Sequence, residues 1–289
     1  MLIIKNTHHY NIFAAYFYHL KTGMNIAFQK EGAFSGKFVI WEGFMIRAFF
    51  YVLVLSIFFL GSHAFAKTIT EKIVPSQAVS EMTIMVYMGG DNSLDKAAYA
   101  DLNEMQKFGT PKGVELVFFH DGLSSTDTFR GFIKKGEVHL EQVGEVNSAD
   151  PRMVVGFVKW AAQIRPAKKY MLIMWNHGYG VLNALPPLPV VVTDTTRKVV
   201  VPGTRSIITD DTSWNEISFT QFRDIMKAIK AAGIKIDILG FDACLMAMAE
   251  MAYEMAEFSD VLIASEETEP GDGWPYDKIL SAMNSIRCV

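Results

Sequence analysis

His177 and Cys244 each follow an apolar run with the length of a buried strand. YMLIMWNHG ends on His177-Gly178, and IDILGFDA delivers Cys244. An imidazole and a thiol brought together can carry out acyl transfer. The imidazole takes the thiol proton, the sulfur attacks a carbonyl carbon, and the imidazolium returns the proton to the leaving amine. Against this stands the ordinary fate of a free cysteine, which is to be a small buried hydrophobe. Position alone leaves the two readings even. His177 shifts the balance, because His120, His139 and His177 are the histidines after Lys67 and His177 alone precedes glycine at a strand end. His120 also ends a strand and is a rival base, but packing at the sheet edge is the simpler reading. His139 falls in a hairpin and reads as solvated. No His/Cys pair has ligand spacing, so no metal ligand is expected from these residues.

Asp242 lies two residues before Cys244. It can be a structural acceptor for backbone amides, or it can line a pocket and pair with a cationic guest. Its charge makes a directly catalytic role beside a thiolate unfavourable. A second acidic stretch, SEETEPGDGWPY, carries Glu266, Glu267, Glu269 and Asp272. It reads as a solvated loop, as one wall of a substrate cleft, or as oxygen ligands for Ca²⁺. Its spacing is not that of an EF-hand.

These residues need a scaffold that brings strand ends together. TIMVYMGG and VELVFFHDG read as buried strands, with a helix over 91–109 between them. FRGFIKKGEVHLEQV reads as a hairpin turning at Lys135-Gly136. Asp150-Pro151 opens a helix, the Asp as cap and the Pro at the first helical position. Ser218 with Gln221 makes a capping box for a helix that stops at Gly233. CLMAMAEMAYEMAEF reads as a helix starting at Cys244, whose positive end would favour the thiolate. VLIASEE is a fifth strand. Apolar strands alternating with helices give an α/β fold with a mostly parallel sheet covered on both faces, and such sheets bind ligands beyond the carboxyl ends of their strands.

Half of the 289 residues are apolar, enough for a full core, and the formal net charge of −4 offers nucleic acid no basic surface. The two cysteines, Cys244 and Cys288, make no disulfide framework and read as free thiols. Residues 45–66 have the layout of a secretory signal: Arg47, a short apolar core, then Ala64-Phe65-Ala66. The core is short for a membrane span, which needs about 20 residues. The expectation is an exported protein, secreted or periplasmic, starting near Lys67, with no membrane contact after signal removal. Residues 1–44 then read as a non-native extension ahead of a start at Met45.

The segments VYMGGDNSLD, IMWNHGYG, GFDACLM and SEETEPGDGWPY together resemble the clostripain family of cysteine peptidases, relatives of the caspases and gingipains. The resemblance covers nearly all of 67–289. It implies a caspase-like αβα sandwich. It implies that His177 is general base and acid, that Cys244 is the nucleophile, and that the amides of Gly178 and Cys244 hold the oxyanion. Asp242 would select Arg or Lys before the cut, with Glu267 and Asp272 beside it in the substrate site. The partners would be proteins or peptides containing Arg or Lys. No cofactor is required on this reading, and Ca²⁺ is a possible addition.

Two departures stand out. A long irregular insert runs from Tyr179 to about Asn215, rich in Pro, Val and Thr. It reads as an activation loop cut by the enzyme itself, with Arg197, Lys198 and Arg205 as candidate sites. The chain also stops at Val289, where family members usually continue, so a C-terminally shortened product is expected. The competing reading is an inactive truncated relative that acts as a secreted binding domain.

Overall fold

The computed structural model describes residues 2–5, 67–180 and 206–285. The expected signal segment at 45–66 and the cut sites Arg197, Lys198 and Arg205 lie outside the described residues, as does Cys288. Among the described residues, no helix is long and apolar enough to cross a membrane.

Residues Leu2–Lys5 form β1 and Lys67–Thr70 form β2. Then come β3 (Ser80–Gly89), α1 (Asp95–Phe108), β4 (Val114–Asp121), β5 (Phe129–Lys134), β6 (Glu137–Gln142), α2 (Pro151–Ile164) and β7 (Ala167–Trp175). From residue 206 onward come β8 (Ser206–Asp210), β9 (Asn215–Ser218), α3 (Phe219–Ala231), β10 (Ile238–Asp242), α4 (Ala249–Met255), β11 (Val261–Ala264) and α5 (Tyr276–Ser285). Nine strands make one sheet in the order β1-β11-β10-β7-β3-β4-β5-β6-β2. The central run from β11 to β4 is parallel throughout.

Side chains of a strand alternate between faces. Met85, Tyr87, Val117, Phe119, Leu172, Met174, Leu239 and Phe241 therefore share one face, where they pack with α2, α3 and α4. Ile84, Val86, Leu116, Phe118 and Ile173 point to the other, which α1 and α5 cover as a contacting pair. The result is the αβα sandwich expected from the alternating pattern. Burying each large apolar side chain contributes about 1.5–3 kcal/mol, and the Tyr87 ring stacks on Phe119 with centroids 4.7 Å apart. Its hydroxyl donates to the Ser148 carbonyl at 2.7 Å, so the polar tip is satisfied in the core.

Local signals held at most boundaries. The Asp150 carboxylate accepts from the Arg152 amide at 2.8 Å with Pro151 in the first turn. Ser218 and Gln221 form both halves of the capping box. Three readings needed correction. His139 is buried rather than solvated, with its Nδ1 2.7 Å from Glu71 Oε1. The end of the insert is ordered, because β8 and β9 pair as an antiparallel ribbon. The helix expected from Cys244 begins only at Ala249. The intervening residues run beside the acidic loop, with Leu245 N donating to Glu267 O at 3.0 Å and Ala247 N to Ser265 O at 2.9 Å. Those bonds satisfy the amides that a helix would otherwise use, and they remove the helix-dipole argument for the thiol.

Candidate active site

Strand β7 pairs in parallel with β10, and Trp175 stands opposite Asp242. Two steps further along each chain lie His177 and Cys244. Neighbouring strands run about 4.8 Å apart, so the two strands leave the sheet next to each other at its carboxyl end, each two residues before its candidate group. The contact is tight. A β-carbon built on Gly178 would meet Cys244 O at 2.1 Å and Cys244 N at 2.8 Å. Glycine is required there by space alone.

Cys244 is half-buried in a sharp turn, and the next residue, Leu245, has φ 62°. A left-handed Leu costs conformational energy, and such strain persists only where surrounding bonds over-determine it. Here the bonds to Ser265 and Glu267 do so. The Glu269 amide donates to Cys244 Sγ at 3.2 Å, a contact that strengthens when the sulfur carries charge.

His177 is positioned from three sides. Its Nε2 lies 2.9 Å from Ser93 Oγ. Its amide donates to Asn176 Oδ1 at 2.5 Å. The Asn176 side-chain amide in turn donates to Gly89 O at 2.6 Å and Thr209 O at 3.0 Å. Asn176 thus ties the ends of β3, β7 and β8 together beneath the histidine. Burial lowers the His177 pKa from its usual value, and the charge of Asp211 acts against that shift. The ring is therefore poised neutral, the form a general base needs.

Asp242 sits under α1 and α5 and is only 4% exposed. One of its oxygens accepts from the Trp274 amide at 3.1 Å and from the Tyr276 hydroxyl at 3.0 Å. Burial pushes its pKa up to about 7, against these two hydrogen bonds. A second buried acid faces it. Asp101 of α1 accepts from Trp175 Nε1 at 2.7 Å and is raised to about 8, first by burial and then by the charge of Asp242. Gly273 lies over both, since a β-carbon there would be 3.0 Å from Asp101 Oδ2 and 3.2 Å from Asp242 Oδ2. Glu267 and Asp272 are exposed on the same loop. Glu267 contributes its carbonyl to the strap beside Cys244, and Asp272 contributes charge felt at Asp101. The carboxyl ends of β7 and β10 therefore gather His177, Gly178, Cys244, Asp242 and the acidic loop in one place.

Other carboxylates collect nearby. Asp91, Asp121 and Asp210 are all buried with ligand atoms within 4.8 Å of one another. Asp95, His120 and Asp127 form a second group of the same size. Neither draws a residue from the acidic loop. Sequence reasoning missed Ser93, Asp101, Asn176 and Asp211 as parts of the site. Ser93 could have been found, because DNSLD directly follows a buried strand at the same carboxyl edge.

The sequence model of the clostripain family matches residues 86–287. Clostripain from Hathewaya histolytica is 26% identical over 238 residues, covering 71% of this chain and 42% of that protein. The chain thus spans under half the length of that relative. A secreted C11 cysteine protease from Bacteroides thetaiotaomicron, solved with an irreversible peptide inhibitor, matches with TM-score 0.55 and 25% identity, over 71% of this chain and 54% of that one. An inactive zymogen C11 protease from Parabacteroides distasonis shares the fold, with TM-score 0.51 and 22% identity, over 72% and 55% of the two chains. With the family pattern running through both strand-end loops, the chain belongs to the clostripain family.

Proposed function

We propose that this chain is a secreted cysteine endopeptidase that cuts after Arg or Lys. One observation carries the reading: His177 and Cys244 leave adjacent parallel strands at matched positions, with Gly178 pressed against the Cys244 backbone. Family membership and the inhibitor-bound relative support it.

In this mechanism His177 removes the Cys244 proton and the sulfur attacks the scissile carbonyl. The amides of Gly178 and Cys244 stabilise the oxyanion. His177 then protonates the leaving amine, and the C–N bond breaks to leave a thioester. Water, deprotonated by His177, hydrolyses that thioester and regenerates the thiol. The Ser93 hydroxyl can donate or accept, so it holds the ring in both protonation states. Asp242 is the floor of the primary pocket, where a guanidinium or ammonium would draw its carboxyl into the ionised form. Glu267 and Asp272 add negative charge at the rim.

Self-cleavage at Arg197, Lys198 or Arg205 would activate the chain. The test is hydrolysis of peptidyl-Arg and peptidyl-Lys amides by the purified protein, with Cys244→Ala as control. Hydrolysis lost in that variant is expected. A folded protein with no Cys244-dependent hydrolysis would leave the binding-domain reading in its place.

A further inference from the structure

We propose that Asp95, His120 and Asp127 form a binding site for a divalent transition cation of the Zn²⁺ class. One ligand atom from each lies within 4.8 Å of the other two. The three come from different elements: Asp95 opens α1, His120 ends β4, and Asp127 lies in the loop leading to β5. Their wide separation in sequence explains why no short ligand motif announces them.

His120 carries the argument. Its side chain is 0% exposed. Both ring nitrogens are buried without a hydrogen-bond partner in the protein. Leaving such a polar group buried and unpaired is costly. The ring is nevertheless fixed in place, because Tyr99 and Phe129 pack against it, each with centroids 4.8 Å away. A fixed, unpartnered imidazole aimed at two carboxylates is a ligand arrangement.

The two carboxylates are also pre-set. Asp127 Oδ1 accepts from the Ser124 amide at 3.0 Å, and its Oδ2 from the Tyr99 hydroxyl at 3.3 Å. Asp95 Oδ1 accepts from the Leu123 amide at 3.3 Å. These bonds orient the groups and leave lone pairs for a cation. Gly122 lets them converge, since a β-carbon there would sit 2.4 Å from Asp127 Oδ2 and 2.8 Å from Asp95 Oδ1. Two acids held together repel, and a divalent cation between them reverses the sign of that interaction.

The donor set selects the metal. Calcium and magnesium favour all-oxygen shells, whereas one imidazole nitrogen with two carboxylate oxygens suits zinc and its neighbours. Three protein ligands leave a fourth position for water. The bound cation would staple the start of α1 to the end of β4. Ser93, which contacts His177, lies two residues before Asp95, so the staple steadies that side of the cleft.

The site does not depend on peptidase activity and is tested without it. Tag-free Cys244→Ala/Cys288→Ser protein, stripped with chelator, removes the competing thiols. It is titrated with Co²⁺, followed by visible absorption, and with Zn²⁺, followed by calorimetry and melting temperature. One equivalent of each should bind, with d–d bands for Co²⁺ and a rise in melting temperature for Zn²⁺. Asp127→Asn, at a half-exposed position, should weaken binding about tenfold or more while leaving the metal-free melt unchanged, and His120→Asn should abolish the bands. No binding, or binding untouched by Asp127→Asn, would overturn the site. Stronger binding of Ca²⁺ than of Zn²⁺ at the same residues would overturn the choice of metal.

Discussion

Gly178 lies against the main chain of Cys244 so closely that a single added carbon would overlap the Cys244 carbonyl, 2.1 Å away. The two loops that carry the proposed dyad therefore set each other's position. Gly178→Ala should push them apart. Misplacing reacting groups by about 1 Å can cost about 100-fold in rate, and a loss of that order in kcat/KM is expected. The change falls in loops past the ends of β7 and β10, so far-ultraviolet circular dichroism should be unaltered. A variant within threefold of the parent would show that the loops relax freely.

Asp242 is the test of cation selection. In Asp242→Asn, turnover of Arg and Lys substrates should fall at least about 100-fold, because a charge-assisted contact, bidentate for Arg and a point-charge pair for Lys, is lost. Turnover of a substrate with a neutral side chain should change little. The parent should also bind small guanidinium ligands more tightly as pH rises through about 7, where Asp242 ionises. Glu269 and Tyr276 act on that group directly, and the neighbouring Asp101 interacts with it, so the transition is broadened. Inhibition constants measured between pH 5.5 and 8.5, with Asp242→Asn as reference, would show the trend or its absence.

The pH profile should also report Asp211. Its negative charge favours protonated His177 and offsets part of the downward shift caused by burial. Asp211→Asn should lower the His177 pKa further, so the acid limb of kcat/KM moves to lower pH. A limb that moves upward or stays fixed would assign it to another group.

Stability should fall with rising pH on the alkaline side. The carboxyls of Asp101, Asp242, Asp121 and Asp91 titrate in the fold near 8, 7, 7 and 6. In the unfolded chain they titrate near 3.9. A raised pKa means the fold binds more protons than the unfolded chain, and that stabilising contribution disappears as pH climbs through the folded values. The lowered values of His120, about 4, and of His177 work the other way below pH 6.5. The clear window is therefore pH 6.5 to 8.5, where the urea midpoint should decline. Asp101→Asn should flatten that decline, and an undiminished slope would exclude Asp101 as its source.

In the core, Tyr87→Phe removes the donor to the Ser148 carbonyl and leaves that acceptor buried. A loss of about 1–2 kcal/mol is expected, read as a lower urea midpoint with an unchanged slope. A neutral outcome would place water at the carbonyl.

The order of strands and helices was legible because each buried strand was an unbroken apolar run and several helices carried their own caps, as at Asp150-Pro151 and Ser218/Gln221. His177 and Cys244 were legible because both end such runs. The segment after Cys244 misled, since Met248, Met251 and Met255 have helical spacing while the amides of Leu245 and Ala247 are taken by the neighbouring acidic loop. Ser93 was legible in principle, just past the end of β3, whereas Asp101 was invisible for a related reason. Its role exists only where α1 folds back over the strand ends, and no local pattern encodes that approach. The edge strands β1 and β2 were missed because four-residue segments carry little periodicity.

The β7–β10 pairing joins parts of the chain that lie on opposite sides of the insert at 181–205. If that connection is severed, β2 to β7 belong to one polypeptide and β8 to β11 to another. His177 and Cys244 then sit on different molecules, and folding becomes an association reaction. Melting temperature, which is independent of concentration for the intact chain, would rise with protein concentration for the cut one. Dilution would then separate His177 from Cys244.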